Sequence, residues 1–360
     1  MANTMVSILL IESHILGNST ASRRFREILS NIENVDLRCL SITQDEIDSV
    51  KLPRFVKRFQ SIPTYLSVRQ KLVAENSSRQ YDIVLCVTAQ PLLALHGLFK
   101  SARIALWYDA LPFHPGKGIA NAITNWLTKT IYNVVFRRVQ ILLPMSNWAF
   151  EQNRQFKFSH SEIIETFPIC VSEKNWRLDK VRHIESGRKI NVLLCGNDAR
   201  RKGFIDFFQW CVDHDKDLSN FKFKVITTEK NEKFIQLAKK LGIEIIDSLS
   251  HDNLSEIISH YHTADIFFLP TKFDMMPNVL IEAVAAKLPV LSTDTGAINE
   301  VVKNGHTGWL VQCGDWQGFY NRLIQFSNNP NVFDEQELLV NASRFYDSTS
   351  YAKIARIIDG

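Results

Sequence analysis

The chain has 360 residues, of which 45% are hydrophobic and 22% charged, and its formal net charge is +4. This composition is typical of globular proteins and excludes intrinsic disorder, collagen and a coiled coil as descriptions of the whole chain. At roughly 100–200 residues per domain, the length predicts two or three domains.

The first apolar run, residues 6–11, is far shorter than the roughly 20 residues that a membrane-spanning helix needs. It stops at Glu12, with no basic segment before it and no small-residue cleavage site after it. We therefore expect a buried strand there rather than a signal peptide. The six cysteines show no C-x-x-C spacing, which predicts buried thiols in a reducing compartment and hence a cytoplasmic protein.

Short apolar runs alternate with segments of helical spacing along the whole chain. In the first half, strands are predicted at residues 6–11, 35–42, 81–87, 103–108 and 139–144. The pattern begins again at Lys189, with strands predicted at residues 190–195, 223–227, 243–246, 266–269, 289–292 and 309–311. Short buried strands between helices are typical of parallel sheets that are covered on both faces.

We therefore predict an α/β protein with two doubly wound, Rossmann-like domains. The charged segment 179–188 is the best linker candidate. The predicted domains are residues 1–182 and 183–345, followed by a C-terminal helix within residues 346–360.

The loop after the strand at 190–195 combines a glycine with cations. Gly196 is followed by Arg200, Arg201 and Lys202, and a helix is predicted to begin just beyond them. Cations at a helix N-terminus suit an anionic ligand, and Arg in particular makes forked hydrogen bonds to phosphate oxygens. A solvated charged turn is the alternative interpretation of the same residues.

Two carboxylates follow the strand at 266–269. Pro277 is well placed in the first turn of a helix, with Asp274 in the loop before it and Glu282 about one and a half turns inside. A carboxylate accepts two hydrogen bonds, which fits the vicinal hydroxyls of a ribose. An ordinary amphipathic helix with a capping Asp is the alternative.

The net charge is unevenly distributed between the two halves. Residues 1–180 carry 22 Lys and Arg against 15 Asp and Glu, a balance of +7, which leaves −3 for residues 181–360. Residues 51–59 hold four cations and two phenylalanines, a mixture that suits an anionic membrane surface or a lipid-linked acceptor. A solvated helix face is the alternative. Residues 126–138 are also amphipathic, and we expect their apolar face to lie in the core.

The second half carries an ordered set of motifs. Residues 274–283 read D-M-M-P-N-V-L-I-E-A, and Gly196 with the run 201–203 (R-K-G) precedes them. This arrangement resembles the retaining glycosyltransferases of family 4, whose pattern E-x(7)-E has the form E-G-F-P-N-V-L-x-E-A. The similarity is dense over residues 190–312 and diffuse before them. The resemblance implies a GT-B fold, in which two Rossmann-like domains face each other across a cleft and the C-terminal helix crosses back to the first.

The resemblance also implies the roles of individual residues. Lys202 contacts the diphosphate of the donor with Arg201 beside it, Glu282 holds the ribose, and Asp274 meets the donor sugar. The implied donor site comprises Gly17, Gly196, Arg201, Lys202, Met276, Asn278, Val279, Leu280 and Glu282, and the catalytic candidates are Asp274 and Asp109, the latter on the acceptor side. Ser146 matches a serine that follows a late strand of the family's first domain.

Four positions depart from the family's pattern. Asp274 replaces Glu, Met275 replaces the usual Gly, Asn197 stands where many members carry Arg, and Tyr108 stands where many carry His. These departures motivate a second hypothesis, a catalytically weak accessory subunit that binds a nucleotide-sugar or a partner glycosyltransferase. A sugar-nucleotide epimerase or a phosphorylase of the same fold is a third.

The implied reaction transfers a sugar from a nucleoside diphosphate donor to an acceptor hydroxyl with retention of anomeric configuration. The acceptor is a glycan or a lipid-linked glycan, which implies polysaccharide, lipopolysaccharide or glycolipid assembly and a peripheral position on the cytoplasmic membrane face. No metal or other cofactor is expected, and residues 215–217 (D-K-D) are interpreted as a solvated loop. No nucleic-acid recognition motif is present.

Overall fold

The computed structural model describes residues 5–14, 18–43, 45–46, 49, 61–109, 119–154, 156, 158, 161–179, 183–185, 187–247 and 254–359. The chain divides into two compact units. Unit 1 comprises Met1–Ile169 with Ser350–Gly360, and unit 2 comprises Cys170–Thr349.

Unit 1 is built on a six-stranded parallel sheet. Its strands are β1 (Val6–His14), β2 (Val35–Thr43), β3 (Ile83–Val87), β4 (Arg103–Tyr108), β5 (Val139–Pro144) and β6 (Ile163–Ile164), in the spatial order β2-β1-β3-β4-β5-β6. Its helices are α1 (Asn18–Ser30), α2 (Ser61–Ser78), a 3₁₀ helix (Gln90–Leu95), α3 (Ile119–Phe136) and α4 (Asn147–Gln152). All five predicted strands of the first half are confirmed; the two-residue β6 is too short to leave a pattern.

Burial explains why these apolar runs form strands. Every residue of β3 is buried, as is all of β4 after its first residue, which is the pattern of strands covered on both faces. Trp107 of β4 stacks on Phe25 of α1 with ring centroids 4.4 Å apart. Its indole Nε1 donates to the Phe167 carbonyl over 2.7 Å, so its polar edge is satisfied inside the core.

Helix α3 corrects one expectation from the sequence. Tyr132 and Phe136 lie in the core as expected. The opposite side of the helix is also apolar, with Trp126, Leu127, Ile131 and Val134 exposed by 65%, 41%, 47% and 56%. Apolar residues thus occupy two faces of α3, and the sheet has room for only one of them. We call these four exposed residues the α3 stripe.

Unit 2 holds the second six-stranded parallel sheet. Its strands are β7 (Ile190–Cys195), β8 (Phe221–Thr227), β9 (Glu244–Asp247), β10 (Ile266–Leu269), β11 (Val290–Thr293) and β12 (Gly308–Val311), in the order β12-β11-β10-β7-β8-β9. Its helices are α5 (Glu173–Trp176), α6 (Phe204–Asp213), α7 (Glu232–Leu241), α8 (Leu254–Thr263), α9 (Asn278–Ala285), α10 (Ile298–Val301), α11 (Trp316–Asn328) and α12 (Glu335–Ser343). All six strands predicted for the second half are confirmed.

The strand order of unit 2 reverses direction beside β7. The chain runs outward from β7 through β8 to β9, and then returns to place β10 on the other side of β7. Such a switch point leaves a crevice beyond the carboxyl ends of the two central strands, because their following loops diverge to opposite faces. The loops after β7 and β10 are therefore the expected ligand-binding segments.

The last helix, α13 (Asp347–Asp359), carries the chain back to unit 1. Lys353 lies 3.4 Å from the Glu165 carboxylate and also donates to the Thr166 carbonyl. Asn31, directly after α1, donates to the Tyr351 hydroxyl over 3.0 Å. These contacts attach residues after Ser350 to two other segments of unit 1, one after α1 and one after β6.

We predict that Gly203→Ala destabilises unit 2 more than Gly242→Ala. Both glycines have left-handed backbones, with φ of +76° and +66°, and such a conformation costs an L-residue about 1–2 kcal/mol. A Cβ on Gly203 would lie 2.0 Å from the Pro270 carbonyl oxygen, whereas a Cβ on Gly242 meets nothing within 4 Å. Urea unfolding should show the larger loss for Gly203→Ala. Equal losses would contradict a tight contact between the loops after β7 and β10.

Candidate active site

Two loops meet at the carboxyl ends of β7 and β10. Residues 196–203 follow β7 and residues 270–277 follow β10, its neighbour in the sheet. The Lys272 amide donates to the Arg201 carbonyl over 2.9 Å, and Gly203 lies against the Pro270 carbonyl. The two segments are thus joined by backbone contacts before any side chain is considered.

Lys202 is the buried cation of this cluster. Its side chain is only 7% exposed, and it lies across Gly196, where a Cβ would come within 2.9 Å of Lys202 Cε. Its Nζ donates to Oδ2 of Asp274 over 2.8 Å. Burying an ammonium group is costly unless it is paired, and Asp274 supplies the partner.

Asp274 receives three side-chain hydrogen bonds. Besides Lys202, Arg201 Nη1 donates to Oδ1 over 2.7 Å and Thr271 Oγ1 donates to Oδ2 over 2.9 Å. The Arg201 side chain is 43% exposed, so it remains accessible from solvent. The two cations and one carboxylate carry a net charge of +1, which favours an anionic ligand at this edge of the sheet.

Helix α9 brings in the second carboxylate. The helix begins at Asn278, with Pro277 in the N-cap position, one residue before the first-turn place expected for it. Glu282 is buried inside the helix, and its Oε2 accepts a hydrogen bond of 2.8 Å from the Tyr261 hydroxyl of α8. A buried, hydrogen-bonded carboxylate beside a ligand crevice is typical of a recognition group.

The remaining predicted donor residues lie around the start of α9. The side chains of Met276 and Leu280 are buried and that of Val279 is half-buried, so any ligand contact from them comes chiefly from the backbone. Asn278 Oδ1 and Thr293 Oγ1, at the end of β11, are buried without a hydrogen-bond partner in the described part of the chain. Such unsatisfied atoms indicate that a ligand or water completes the site.

Tyr261 is the site residue that the sequence analysis missed. Burial, together with the nearby Cys195 thiol and Glu282 carboxylate, raises its pKa well above the ordinary value. Burial and the charge of Glu282 also raise the pKa of Cys195 to about 12. Both groups therefore stay protonated at neutral pH. The sequence does place a tyrosine at helical spacing just before β10. Aromatic residues of the core have the same spacing, so the pattern alone did not distinguish Tyr261 from them.

Asn197 has a structural role in this loop. Its Oδ1 accepts from the Thr228 amide over 2.8 Å and from the Thr227 hydroxyl over 3.3 Å. The amide side chain therefore ties the loop after β7 to the loop after β8. Arg201 supplies the exposed guanidinium at this edge.

In unit 1, the structure describes only some of the predicted site residues. Asp109 is half-buried in a bend directly after β4, and Gly17 lies outside the described residues. Burial raises the pKa of the preceding Tyr108, whose hydroxyl has no hydrogen-bond partner among the described residues. Ser146 caps α4, because its Oγ accepts from the Ala149 amide over 3.0 Å.

Other sequence motifs lie away from this cluster. Asp215 and Asp217 are exposed between α6 and β8, as expected for a solvated loop. The described ranges contain no group of three or more His, Cys, Asp or Glu side chains arranged to hold a metal ion. None of the described helices is both long and apolar enough to span a bilayer. The basic segment 51–59 lies outside the described residues.

Sequence comparison identifies a family match and several relatives that resemble part of this chain. Residues 177–344 match the family described as glycosyl transferases group 1. The capsular polysaccharide biosynthesis glycosyltransferase CapM of Staphylococcus aureus is 37% identical over 22% of this chain and 21% of its own length. The N-acetyl-alpha-D-glucosaminyl L-malate synthase of Bacillus anthracis is 33% identical over 25% and 24%. The matched stretches thus span less than a quarter of either relative.

Structural comparison extends over almost the whole chain. The lipopolysaccharide outer core galactosyltransferase WaaB superimposes with a TM-score of 0.69 at 17% identity, covering 98% of this chain and 99% of WaaB. HepE of Anabaena in complex with UDP-glucose gives 0.64 at 12% identity, over 98% and 99%. These likenesses establish the fold as GT-B, as expected from the sequence. The similarity to the glycosyl transferases group 1 family is carried by residues 177–344, which lie within unit 2.

Proposed function

We propose that this protein is a retaining glycosyltransferase that uses a nucleoside diphosphate sugar as donor. The observation that carries the proposal is the cluster of Lys202, Arg201 and Asp274 close to the buried Glu282 at one sheet edge. In the reaction, the bond from the anomeric carbon to the diphosphate oxygen breaks. A bond from the same face of that carbon to an acceptor oxygen forms, and the acceptor's proton leaves with the nucleoside diphosphate.

The donor site follows from the charges at the switch point. Lys202 and Arg201 neutralise the diphosphate, and helices α6 and α9 begin beside them, where the positive ends of helix dipoles favour an anion. Glu282 accepts hydrogen bonds from the ribose hydroxyls. Asn278 and the backbone of 276–280 frame the sugar and phosphates. The UDP-glucose complex of HepE, a protein with this fold, supports a donor of this class.

The cations provide the catalytic stabilisation. Negative charge develops on the diphosphate as the sugar leaves, and prepositioned cations in a partly buried site stabilise it without reorganisation. We propose that no metal ion is needed, because Lys202 and Arg201 already stand where the charge develops. Asp274 orients both cations and faces the donor sugar, and Asp109 acts on the acceptor side.

The acceptor is proposed to be a growing glycan or a lipid-linked glycan. CapM, which matches 22% of this chain, is described as a capsular polysaccharide enzyme, and WaaB, which has the same fold, as a lipopolysaccharide enzyme. Their descriptions support polysaccharide, lipopolysaccharide or glycolipid assembly as the setting. The cytoplasmic location also remains a proposal, based on the spacing of the six cysteines, which includes no C-x-x-C pair.

We further propose that the α3 stripe contacts an anionic membrane. Residues 126–134 expose four large apolar side chains, which is the composition of an interfacial helix face. Arg137 is exposed, and at 100° per residue it lies about 20° from Trp126 around the helix. Residues 100–150 contain six Lys and Arg against a single acidic residue, Asp109. That charge suits an anionic bilayer better than a second copy of the same basic surface.

Glu282→Gln should weaken binding of the nucleotide that the wild-type protein recognises among UDP, GDP and ADP. Hydrogen bonds to a charged group contribute about 1.5–3 kcal/mol, so we expect at least about a tenfold rise in Kd by calorimetry. Glu256→Gln, at an exposed position on α8, is the matched control. Binding that is unchanged in Glu282→Gln would contradict the ribose role. Absence of binding by any of the three nucleotides would favour the accessory-subunit hypothesis.

Asp274→Asn should separate donor binding from catalysis. Removing the carboxylate charge beside Lys202 and Arg201 lessens repulsion of the diphosphate, and we expect about tenfold tighter nucleoside diphosphate binding, or about 1.4 kcal/mol. Transfer at saturating donor should become slower, because the cations lose their common anchor. Calorimetry and kcat measurements test both effects against Asp213→Asn, an exposed site. Weaker nucleotide binding in Asp274→Asn would refute this role.

Replacing Trp126 and Val134 by Ser should reduce binding to phosphatidylglycerol vesicles. Each buried apolar side chain contributes about 1.5–3 kcal/mol, so sedimentation with vesicles should fall at least about tenfold. Val340→Ser in unit 2, which removes an exposed apolar side chain elsewhere, is the control. Wild-type binding should also weaken with phosphatidylcholine alone and with added salt. Equal binding by all three proteins, or none by the wild type, would exclude the membrane surface.

A further inference from the structure

We propose that Tyr261 is the positioning residue of the ribose site. Its hydroxyl fixes the Glu282 carboxylate and thereby sets the preference for a nucleotide with both ribose hydroxyls. The inference rests on the proposed function, in which Glu282 binds the ribose. It concerns a different helix, α8, which holds none of the residues predicted for the site.

The tyrosine ring is itself rigidly held. Tyr261 is fully buried, stacks on Phe267 of β10 at 5.8 Å with a 16° angle between rings, and meets Trp176 edge-on at 5.1 Å. These ring contacts therefore fix the position of the Tyr261 hydroxyl. From there it donates to Glu282 Oε2 over 2.8 Å. A glutamate side chain has several rotatable bonds, and a bond from a fixed donor selects one of its rotamers.

The direction of this hydrogen bond is fixed by protonation. Burial is the largest of the effects that raise the pKa of Tyr261 far above neutrality, so the hydroxyl is always a donor to the carboxylate. The Cys195 thiol at the end of β7 is neutral for the same reason. Glu282 is therefore the acceptor of the three groups. A carboxylate has about four acceptor positions, and the bond from Tyr261 occupies only one of them.

The orientation of the Glu282 carboxylate determines how well it can bind the two hydroxyls of a ribose. A diol binds a carboxylate well only when both oxygens face it, because two hydrogen bonds must form together. An unanchored Glu282 would have to lose rotamer freedom on each binding event. With Tyr261 in place, that ordering is completed during folding, and the ribose meets a prepared acceptor.

Tyr346 offers a matched control for a purely structural role. It is also buried in unit 2, and its hydroxyl donates to the Ala285 carbonyl over 2.8 Å. Tyr346→Phe and Tyr261→Phe each remove one buried hydroxyl group together with its hydrogen bonding. Both should lower the thermal midpoint by similar amounts, but only Tyr261→Phe removes a contact to Glu282.

The test compares UDP, GDP or ADP, whichever the wild type binds, with its 2′,3′-dideoxy counterpart by calorimetry. We expect Tyr261→Phe to weaken the ribonucleotide about tenfold and to leave the dideoxy nucleotide unchanged, while Tyr346→Phe changes neither. Equal weakening of both nucleotides, or of neither, in Tyr261→Phe would overturn the inference.

Glu282→Gln distinguishes this failure from failure of the proposed function. If Glu282→Gln removes the preference for the ribonucleotide and Tyr261→Phe retains it, Glu282 binds the ribose without help from Tyr261. If Glu282→Gln also retains the preference, the ribose site itself is wrong, and the inference falls with it.

Discussion

The pairing of β7 with β10 is the constraint on which the candidate site depends. The two strands are parallel neighbours, with Ile266 opposite Val192 and Phe267 opposite Leu193, although more than 70 residues separate them in sequence. Their carboxyl ends therefore lie at one edge of the sheet, and both following loops must share it. Gly203 permits the closest approach, because any larger residue would collide with the Pro270 carbonyl. The ion pairs of Lys202 and Arg201 with Asp274 become possible only in that setting.

The aspartate at 274 gives this edge a particular electrostatic character. A shorter side chain than the family's glutamate places the carboxylate among Lys202, Arg201 and the Thr271 hydroxyl. The buried ammonium of Lys202 is thereby compensated in the absence of ligand. In the proposed function, a diphosphate brings more negative charge than one carboxylate and competes for the same cations. The pair with Asp274 therefore explains how a buried lysine is accommodated in the proposed anion site.

Much of this arrangement could be predicted from sequence, because local patterns report what a residue's own segment does. Strands such as β10 are short, apolar and fully buried, so they can be recognised in the sequence. The spacing of Lys202, Asp274 and Glu282 from the strand ends can also be measured along the sequence. Tyr261 could not be singled out, because its role depends on a hydroxyl that reaches another helix. The α3 stripe was wrongly assigned to the core, because helical periodicity shows that a face is apolar without showing which face meets the sheet.

The candidate site contains two kinds of buried polar group: pairs whose hydrogen bonds are already made, and single atoms that lack a partner among the described residues. Tyr261 with Glu282, and Lys202 with Asp274, are buried pairs whose hydrogen bonds are already made. Asn278 Oδ1 and Thr293 Oγ1, by contrast, are buried atoms with no partner in the part of the chain described by the structure. Leaving such atoms unsatisfied costs free energy in the folded protein. In the proposed function, a polar donor molecule that supplies their partners recovers this cost on binding, while the existing pairs keep the charged groups in place. The proposed site is therefore prearranged around its charged groups and has neutral polar atoms left to bond a ligand.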